Sequence, residues 1–580
     1  MGGAPGRKRY GGALSYGGVS GRPDGTGQRT TASPGVPPAP RPWPPVKLGR
    51  YSAPVDSGEL AGFIAPYVVD GGPGHAVGVY RDGELVAAAS VGRAVIEHDV
   101  PIGPGTMFDI ASASKQFTAA CLVLLQADGA LSLDDDVRAH LPGLRLRAPV
   151  TLRQCLSHTG GLRECYALCE LAGVPVAGMA ETRLMRLITG QRDLDFPPGT
   201  GWSYANTGFV LAAAVVRRRT GRSLAEFAAQ RLFGPLGMDA TRFRDDLAVP
   251  VTGLATGYTP APRGGWHRVD ITEETVGDGA VVTSLSELAG WQHFMLTGAT
   301  LGTAVRDALL EPAGLASGRK LPYALGLEIT TAGGRPLYLH SGYIGGFRSA
   351  LGYLIGDGVG VAVLANRDDT FPSEIAVRIA ERLTGTAAPP RPARLGPAAA
   401  VAAQPAITGW WYAPEPDVYL EFTGADDGTV SQADDGTRYH YVAMADGSWL
   451  GTGVATPIRL RLDGGELRRE ETVGDEPPEV YQRVTGPLAV TEVPAGPYYS
   501  DELDAYATLA ADGAGGTATV TVGLAEPRTL VPVAGGVWAG GGLTVRVRPG
   551  GAELEISLAG ARRCRFTRAS GPAPPRQRGL

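Results

Sequence analysis

Lysine is nearly missing from this chain of 580 residues: of its 53 basic residues only Lys8, Lys47, Lys115 and Lys320 are lysines, and the rest are arginines. An arginine keeps its proton near neutral pH, whereas a lysine removed from water can release it. Arginine thus serves wherever a plain positive charge suffices, and each lysine needs a separate reason. Cysteine is sparse too. Five scattered thiols make no disulfide framework, and Cys165 and Cys169 have no second pair to complete a zinc site. They read as reduced thiols; no metal and no cofactor is expected. Long apolar runs are missing: the longest, Phe209 to Val216, stops at Arg217-Arg218-Arg219, cations suited to the end of a core helix rather than a membrane span. A net charge of −5 gives no footing for nucleic acid. Arg7, Lys8 and Arg9 are followed by no apolar stretch of the secretory kind, so the expectation is a cytoplasmic protein. No serine has glycine at both −2 and +2, and neither His-Glu-x-x-His nor a Walker-type glycine loop occurs.

What is present is ordinary globular composition, 43% hydrophobic and 19% charged, in a chain too long for one core. Residues 1–50 are rich in Gly, Pro, Ser and Thr and read as a disordered segment. Residues 51–385 carry strands at both ends and helices between. His75–Tyr80 and Leu85–Ser90 form a hairpin around Asp82-Gly83. Helices are expected from Ser112 to Asp128, from Asn206 to Arg219, and after the capping boxes Ser223-Leu-Ala-Glu226 and Ser284-Leu-Ser-Glu287. Strands at 348–355 and 359–365 and a closing helix at 375–383 complete an α+β unit whose sheet joins its two termini. A Pro- and Ala-rich linker, 386–405, follows. Beyond it the chain repeats itself: Gly409, Tyr412, Glu415, Asp417 and Tyr419 match Gly496, Tyr499, Glu502, Asp504 and Tyr506, while Trp449 and Gly464-Gly465 answer to Trp538 and Gly550-Gly551. Residues 406–486 and 487–572 are therefore two copies of one small β domain, barrel or sandwich, with a tail at 573–580.

Three constellations carry chemistry. In Ser112-Ala-Ser-Lys115 the hydroxyl and amine share a helix face, and a helix starting at Ser112 would set its hydroxyl at the positive dipole end. A desolvated Lys115 could take the serine proton. In Gly201-Trp-Ser-Tyr204-Ala-Asn206 a phenol and an amide can be aimed at one point. A phenol beside an ammonium has a lowered pKa and could act as a base, while Asn206 is also placed to cap a helix. In His340-Ser-Gly342-Tyr343 a glycine at a strand edge admits a substrate backbone, with the histidine beside the reacting centre.

Together, in this order, Ser-x-x-Lys, Tyr-x-Asn and His-x-Gly resemble the penicillin-recognising serine hydrolases, which include class C β-lactamases, DD-peptidases, esterases and D-aminopeptidases. Leu156-Ser-His158-Thr-Gly-Gly-Leu162, Pro197-Pro198-Gly199, Phe233–Met238 and Gly277-Asp-Gly-Ala280 add to the likeness, which covers about residues 58–385. The resemblance implies a β-lactamase/penicillin-binding-protein-like α+β domain. It makes Ser112 the nucleophile, Lys115 and Tyr204 the proton-transfer pair, Asn206, His340 and Gly342 substrate ligands, and the backbone N–H groups of Ser112 and Tyr343 the oxyanion hole. His340 stands where many members have lysine, so a substrate carboxylate loses a permanent cationic partner. Two tandem small antiparallel β-barrels behind such a domain resemble the D-aminopeptidase architecture, in which a barrel loop reaches the active site. The expected substrate is a small peptide, amide or ester, with release of N-terminal D-residues the leading activity. A carboxylesterase or a DD-carboxypeptidase/β-lactamase-like hydrolase is the alternative, and a non-turnover binding or sensor protein is the alternative of another class. A homodimer is left open.

Overall fold

A computed structural model describes residues 55–385, 393–413, 418–434, 437–452, 458–471, 479–484, 493–512, 517–523, 525–558 and 560–571. The expected disordered segment, the first part of the linker, Glu415, Asp417 and the tail lie outside the described residues.

Strands β1 (His75–Arg81) and β2 (Glu84–Val91) turn at Asp82 and Gly83, both at positive φ (51° and 84°), as a tight hairpin requires. They join β3 (Glu328–Ala332), β4 (Arg335–Ile344), β5 (Phe347–Leu354) and β6 (Val359–Ala365) in one antiparallel sheet of order β3-β4-β5-β6-β1-β2. His75 pairs with Ala365, so the two ends of residues 55–385 meet at mid-sheet, as the strand pattern predicts. One face packs on α1 (Ser57–Ile64) and α5 (Pro372–Thr384). The other meets a larger helical core built around α2 (Lys115–Ala127), which is buried from Lys115 through Leu125. A helix buried all round must be apolar or have its polar groups paired, and its buried polar residues, Lys115, Gln116 and Thr118, sit together at its start, Gln116 donating to the Ala113 carbonyl and Thr118 to the Gly277 carbonyl.

The helices begin and end largely where the sequence places them. Ser223 and Glu226 close a reciprocal capping box. At the second site only half the box forms: Ser284 accepts from the Glu287 N–H (3.2 Å), but the Glu287 carboxylate goes instead to the N–H groups of Ala240 and Thr241 (2.8 and 3.0 Å).

The repeat becomes two closed eight-stranded barrels, from Gly409–Ala413 to Glu479–Arg483 and from Gly496–Ser500 to Ala561–Arg568. Equivalent residues do equivalent work. Tyr412 pairs across strands with Tyr419 and Tyr499 with Tyr506, ring centroids 4.3 and 5.0 Å apart, while Trp449 and Trp538 are buried in their respective interiors. Part of the expected linker is ordered: Pro397–Ala403 is a helix, proline at its start, with Ala400 buried in the first barrel's apolar cluster.

The second barrel docks on the catalytic region around α3 (Cys165–Leu171). Arg163, buried to 4% exposure, donates to Glu502 (2.8 Å) and Gln191 (2.8 Å) and lies 3.6 Å from Asp195, whose Oδ1 accepts from the Arg562 N–H. Arg163→Ala leaves two carboxylates without their cation. The expected loss is about 3 kcal/mol, read as a lowered thermal midpoint, with Glu502→Gln costing less because its partner keeps Asp195.

Candidate functional site

The segment that carries Ser112 is set by backbone pairing. Phe108–Asp109 pairs with Val281–Thr283, and the Ile110 N–H donates to the Val281 carbonyl (2.9 Å). Ala111 then adopts φ 48°, its N–H held by Asp109 Oδ1 (2.8 Å). Left-handed backbone at a residue with a side chain stores strain that surrounding contacts must maintain. The α-helix starts at Lys115 rather than Ser112, because residues 111–114 form a tighter 3-10 turn. In such a turn, residues three apart eclipse each other, so Ser112 and Lys115 still face one another.

Lys115 is fully buried and donates to three acceptors: Ser112 Oγ (3.0 Å), Asn206 Oδ1 (2.7 Å) and the Asp278 carbonyl (2.6 Å). Burial lowers its pKa from 10.5 to about 8, against the opposing pull of the Asp278 and Glu164 charges. The three protons of an ammonium match three acceptors. A neutral amine keeps two protons and gains a lone pair, and of the three partners only the Ser112 hydroxyl has a proton to give. Of the three groups that hold Lys115, only the serine O–H can therefore turn toward Nζ when the Lys115 proton is lost.

Asn206 is oriented by a residue that motif reasoning passed over. Glu164, buried, accepts from Asn206 Nδ2 (3.0 Å) and from the Asn206 backbone N–H, which leaves Oδ1 to face Lys115. Asn206 thus precedes α4 (Thr207–Thr220) without capping it by its side chain. No spacing rule links Glu164 to Asn206. Asp278 sits in the noted Gly-Asp-Gly-Ala stretch, but its bond to Lys115 comes from its backbone oxygen. Its carboxylate accepts from Tyr166 (2.8 Å).

Tyr204 is placed beside the pair, its ring 5.0 Å from Lys115 Nζ and its hydroxyl bonded to Ser112. The expected lowering of its pKa is overturned. Burial pushes the phenol well above 10, outweighing the Ser112 hydrogen bond, so Tyr204 stays protonated in the resting site. His340 also differs from expectation. It is 2% exposed, its Nδ1 bonds the Ser341 carbonyl (2.6 Å) and its Nε2 the Tyr323 hydroxyl (3.2 Å), so both nitrogens are spent within the protein. Burial, helped by Lys115, lowers its pKa to about 3, leaving it neutral. Gly342 is a close-approach position: a Cβ there would lie 2.0 Å from the Ile110 carbonyl, so the β4 edge rests against the chain that carries Ser112. Tyr343, next along, is 54% exposed, with the Arg348 guanidinium 4.0 Å over its ring.

The second barrel reaches this site from behind. The Gly560 carbonyl accepts from the Glu164 N–H (2.5 Å), and a Cβ at Gly560 would press on the Glu164 side chain at 2.8 Å. Among the described residues there is no cluster of His, Cys, Asp or Glu fit for a metal ion, and no helix long and apolar enough to cross a membrane.

Residues 60–386 match the family model described as Beta-lactamase. A D-aminopeptidase of Gluconobacter oxydans (strain 621H) is 34% identical over 304 residues, 51% of this chain and 56% of that relative. A D-aminopeptidase of Brucella canis is 29% identical over 451 residues, 76% of this chain and 82% of that relative, so the match extends beyond the catalytic region. Among solved structures, the octameric penicillin-binding protein homologue from Pyrococcus abyssi aligns with a TM-score of 0.51 at 22% identity, covering 73% of this chain and 99% of that one, a likeness of fold.

Two outcomes follow from the geometry. kcat/KM should rise with pH through a midpoint at about 8, because only neutral Lys115 accepts the serine proton; Lys115→Arg should lower the plateau by ~10³-fold and remove this rise, as arginine cannot deprotonate. Gly342→Ala must push β4 away from Ile110 and should reduce kcat/KM by ~100-fold, the usual scale for an ångström of misplacement, with an unchanged circular-dichroism spectrum as the control.

Proposed function

The chain belongs to the beta-lactamase family, and on that premise we propose that it is a serine hydrolase of the D-aminopeptidase kind, releasing N-terminal D-residues from small peptides or amides through an acyl-enzyme on Ser112. The observation that carries this reading is the buried Lys115, whose single reversible partner is the Ser112 hydroxyl. In acylation, Ser112 Oγ bonds to the substrate carbonyl carbon while its proton passes to Lys115 Nζ. The N–H groups of Ser112 and Tyr343 receive the oxyanion. As the C–N bond breaks, protonated Tyr204 supplies the leaving amine with a proton and is reprotonated by the Lys115 ammonium, which carries the proton taken from Ser112. Water then attacks the ester by the same route in reverse, restoring Ser112 and freeing the amino acid. Asn206 Oδ1 keeps a second lone pair for a substrate N–H.

The charges support an amine substrate over a carboxylate one. His340 is neutral where a substrate carboxylate would need a cation, while Glu164 and Asp278 are two carboxylates beside one lysine. A free α-ammonium next to the scissile carbonyl is favoured by that field; the C-terminal carboxylate of an acyl-D-Ala-D-Ala peptide is not. The D-aminopeptidases of Gluconobacter oxydans and Brucella canis are the relatives that support the D-residue specificity.

The test pairs a label with a substrate panel. A fluorophosphonate probe should label the wild type and not Ser112→Ala, and D-alanyl and D-phenylalanyl anilides should turn over at least ~10-fold faster than their L-forms or N-acetylated versions, the scale of one well-formed contact. Equal rates for the acetylated compounds would favour the esterase reading, and a burst without turnover the sensor reading.

A further inference from the structure

His158 is held in a demanding conformation and makes more bonds than a bystander needs. Its backbone is left-handed, φ 60°. Its carbonyl accepts from the Ser203 N–H (3.0 Å) and its Nδ1 from the Ala205 N–H (3.1 Å), so one histidine grips the residues on both sides of Tyr204. Its ring lies against the Tyr204 ring, centroids 4.3 Å apart. Its Nε2 is 3.0 Å from the Tyr323 hydroxyl, which in turn is 3.2 Å from His340 Nε2. All three rings are buried or nearly so: His158 is 3% exposed, Tyr323 2% and His340 2%.

The direction of every bond in this chain is fixed by its ends. A backbone N–H can only donate, so His158 Nδ1 accepts and a neutral His158 carries its proton on Nε2. That proton goes to the Tyr323 oxygen. Tyr323 then donates to His340 Nε2, which places the His340 proton on Nδ1, where the Ser341 carbonyl takes it (2.6 Å). The chain starts beside Tyr204 and ends beside Gly342, spanning the site from the tyrosine loop to the β4 edge. An imidazolium on either histidine would break it, since a charged ring has no nitrogen left to accept.

We propose that His158 and Tyr323 are positioning residues of the acylation site: with His340 they form a proton-ordered strut that fixes the Tyr204 loop against β4, its two histidines staying neutral while Lys115 and Tyr204 exchange protons. This rests on the acyl-enzyme reading for its catalytic consequence but not for its proton order. The groups facing the strut agree with it. Lys115 from α2 opposes a positive charge on both histidines; Tyr204, Trp202, Phe209 and Tyr323 line His158; Tyr204 and Tyr323 line His340; Glu328 acts on Tyr204 and Tyr323. The strut also accounts for a histidine that offers no free nitrogen to the pocket. Its role is mechanical.

The experiment uses the full chain labelled with 15N-histidine, the two signals assigned through His158→Asn and His340→Asn. The expected spectrum has His158 protonated on Nε2 and His340 on Nδ1, both unchanged from pH 8 to pH 5. Reversed tautomers, or either ring titrating above pH 6, overturn the strut, and this holds whatever the variants do. Tyr323→Phe keeps the ring and removes the link. It should lower kcat by ~10-fold with KM within ~2-fold, move the His340 Nε2 signal, and leave Ser112 open to the fluorophosphonate. A loss confined to KM, or wild-type kcat, overturns the proposal. His158→Asn tolerates the left-handed backbone and can still accept near Ala205, so it should retain more kcat than His158→Ala. Failure of wild-type Ser112 to take the probe would sink the acyl-enzyme reading alone, because the tautomers are read without substrate.

Discussion

The hold of three oxygens on one buried amine is the constraint from which the rest of the site follows. Two of these oxygens, the Asn206 amide and the Asp278 carbonyl, can never give back a proton, so the third, on Ser112, is selected by elimination. Everything around Lys115 keeps that selection intact. Glu164 stops the Asn206 amide from turning its nitrogen inward. Pairing of Phe108–Asp109 with Val281–Thr283 brings the Asp278 segment within reach of α2. Arginine at position 115 could carry the same charge but could not release a proton near neutral pH, which sets this lysine apart in a chain so poor in lysine.

Strained backbone collects around this amine. Ala111, His158 and Ala280 all adopt positive φ, at 48°, 60° and 74°; Ala111 adjoins Ser112, His158 itself holds the Tyr204 loop, and Ala280 lies two residues after Asp278. Such conformations persist only where neighbours over-determine them. Asp109 does so for Ala111 through its N–H, and the bonds to Ser203, Ala205 and Tyr323 do so for His158. The site is thus built from short-range tension balanced by directed hydrogen bonds, and little of it depends on long flexible side chains.

What the sequence discloses and conceals follows from this. The Ser112–Lys115 spacing, the hairpin at Asp82-Gly83, the sheet that closes on itself and the duplicated β units are all periodic or local features, and periodicity survives in one dimension. Glu164 was concealed among 58 acidic residues because its relation to Asn206 is spatial. The role of Asp278 was concealed because a backbone carbonyl carries it, and side-chain patterns do not encode carbonyls. Tyr204 and His340 lie in motifs, and a neutral His340 was legible there, but the charge state of Tyr204 was misjudged, because desolvation depends on what packs around a group and no motif states that. Tyr323 belonged to no motif at all. The repeat announced two barrels without indicating which of them would lean on the catalytic region.

Arg163 and Glu164 are neighbours in the chain with opposite allegiances: the first is clamped to Glu502 of the second barrel, the second to Asn206 of the catalytic core. One peptide link therefore couples two bodies that otherwise look like separable modules. The barrel is no detachable cassette. A hybrid made by grafting a foreign barrel onto this hydrolase would inherit a mismatched footing under its amide-orienting carboxylate, and recombination between relatives at the junction should be tolerated only when the docking residues travel together with the barrel they serve.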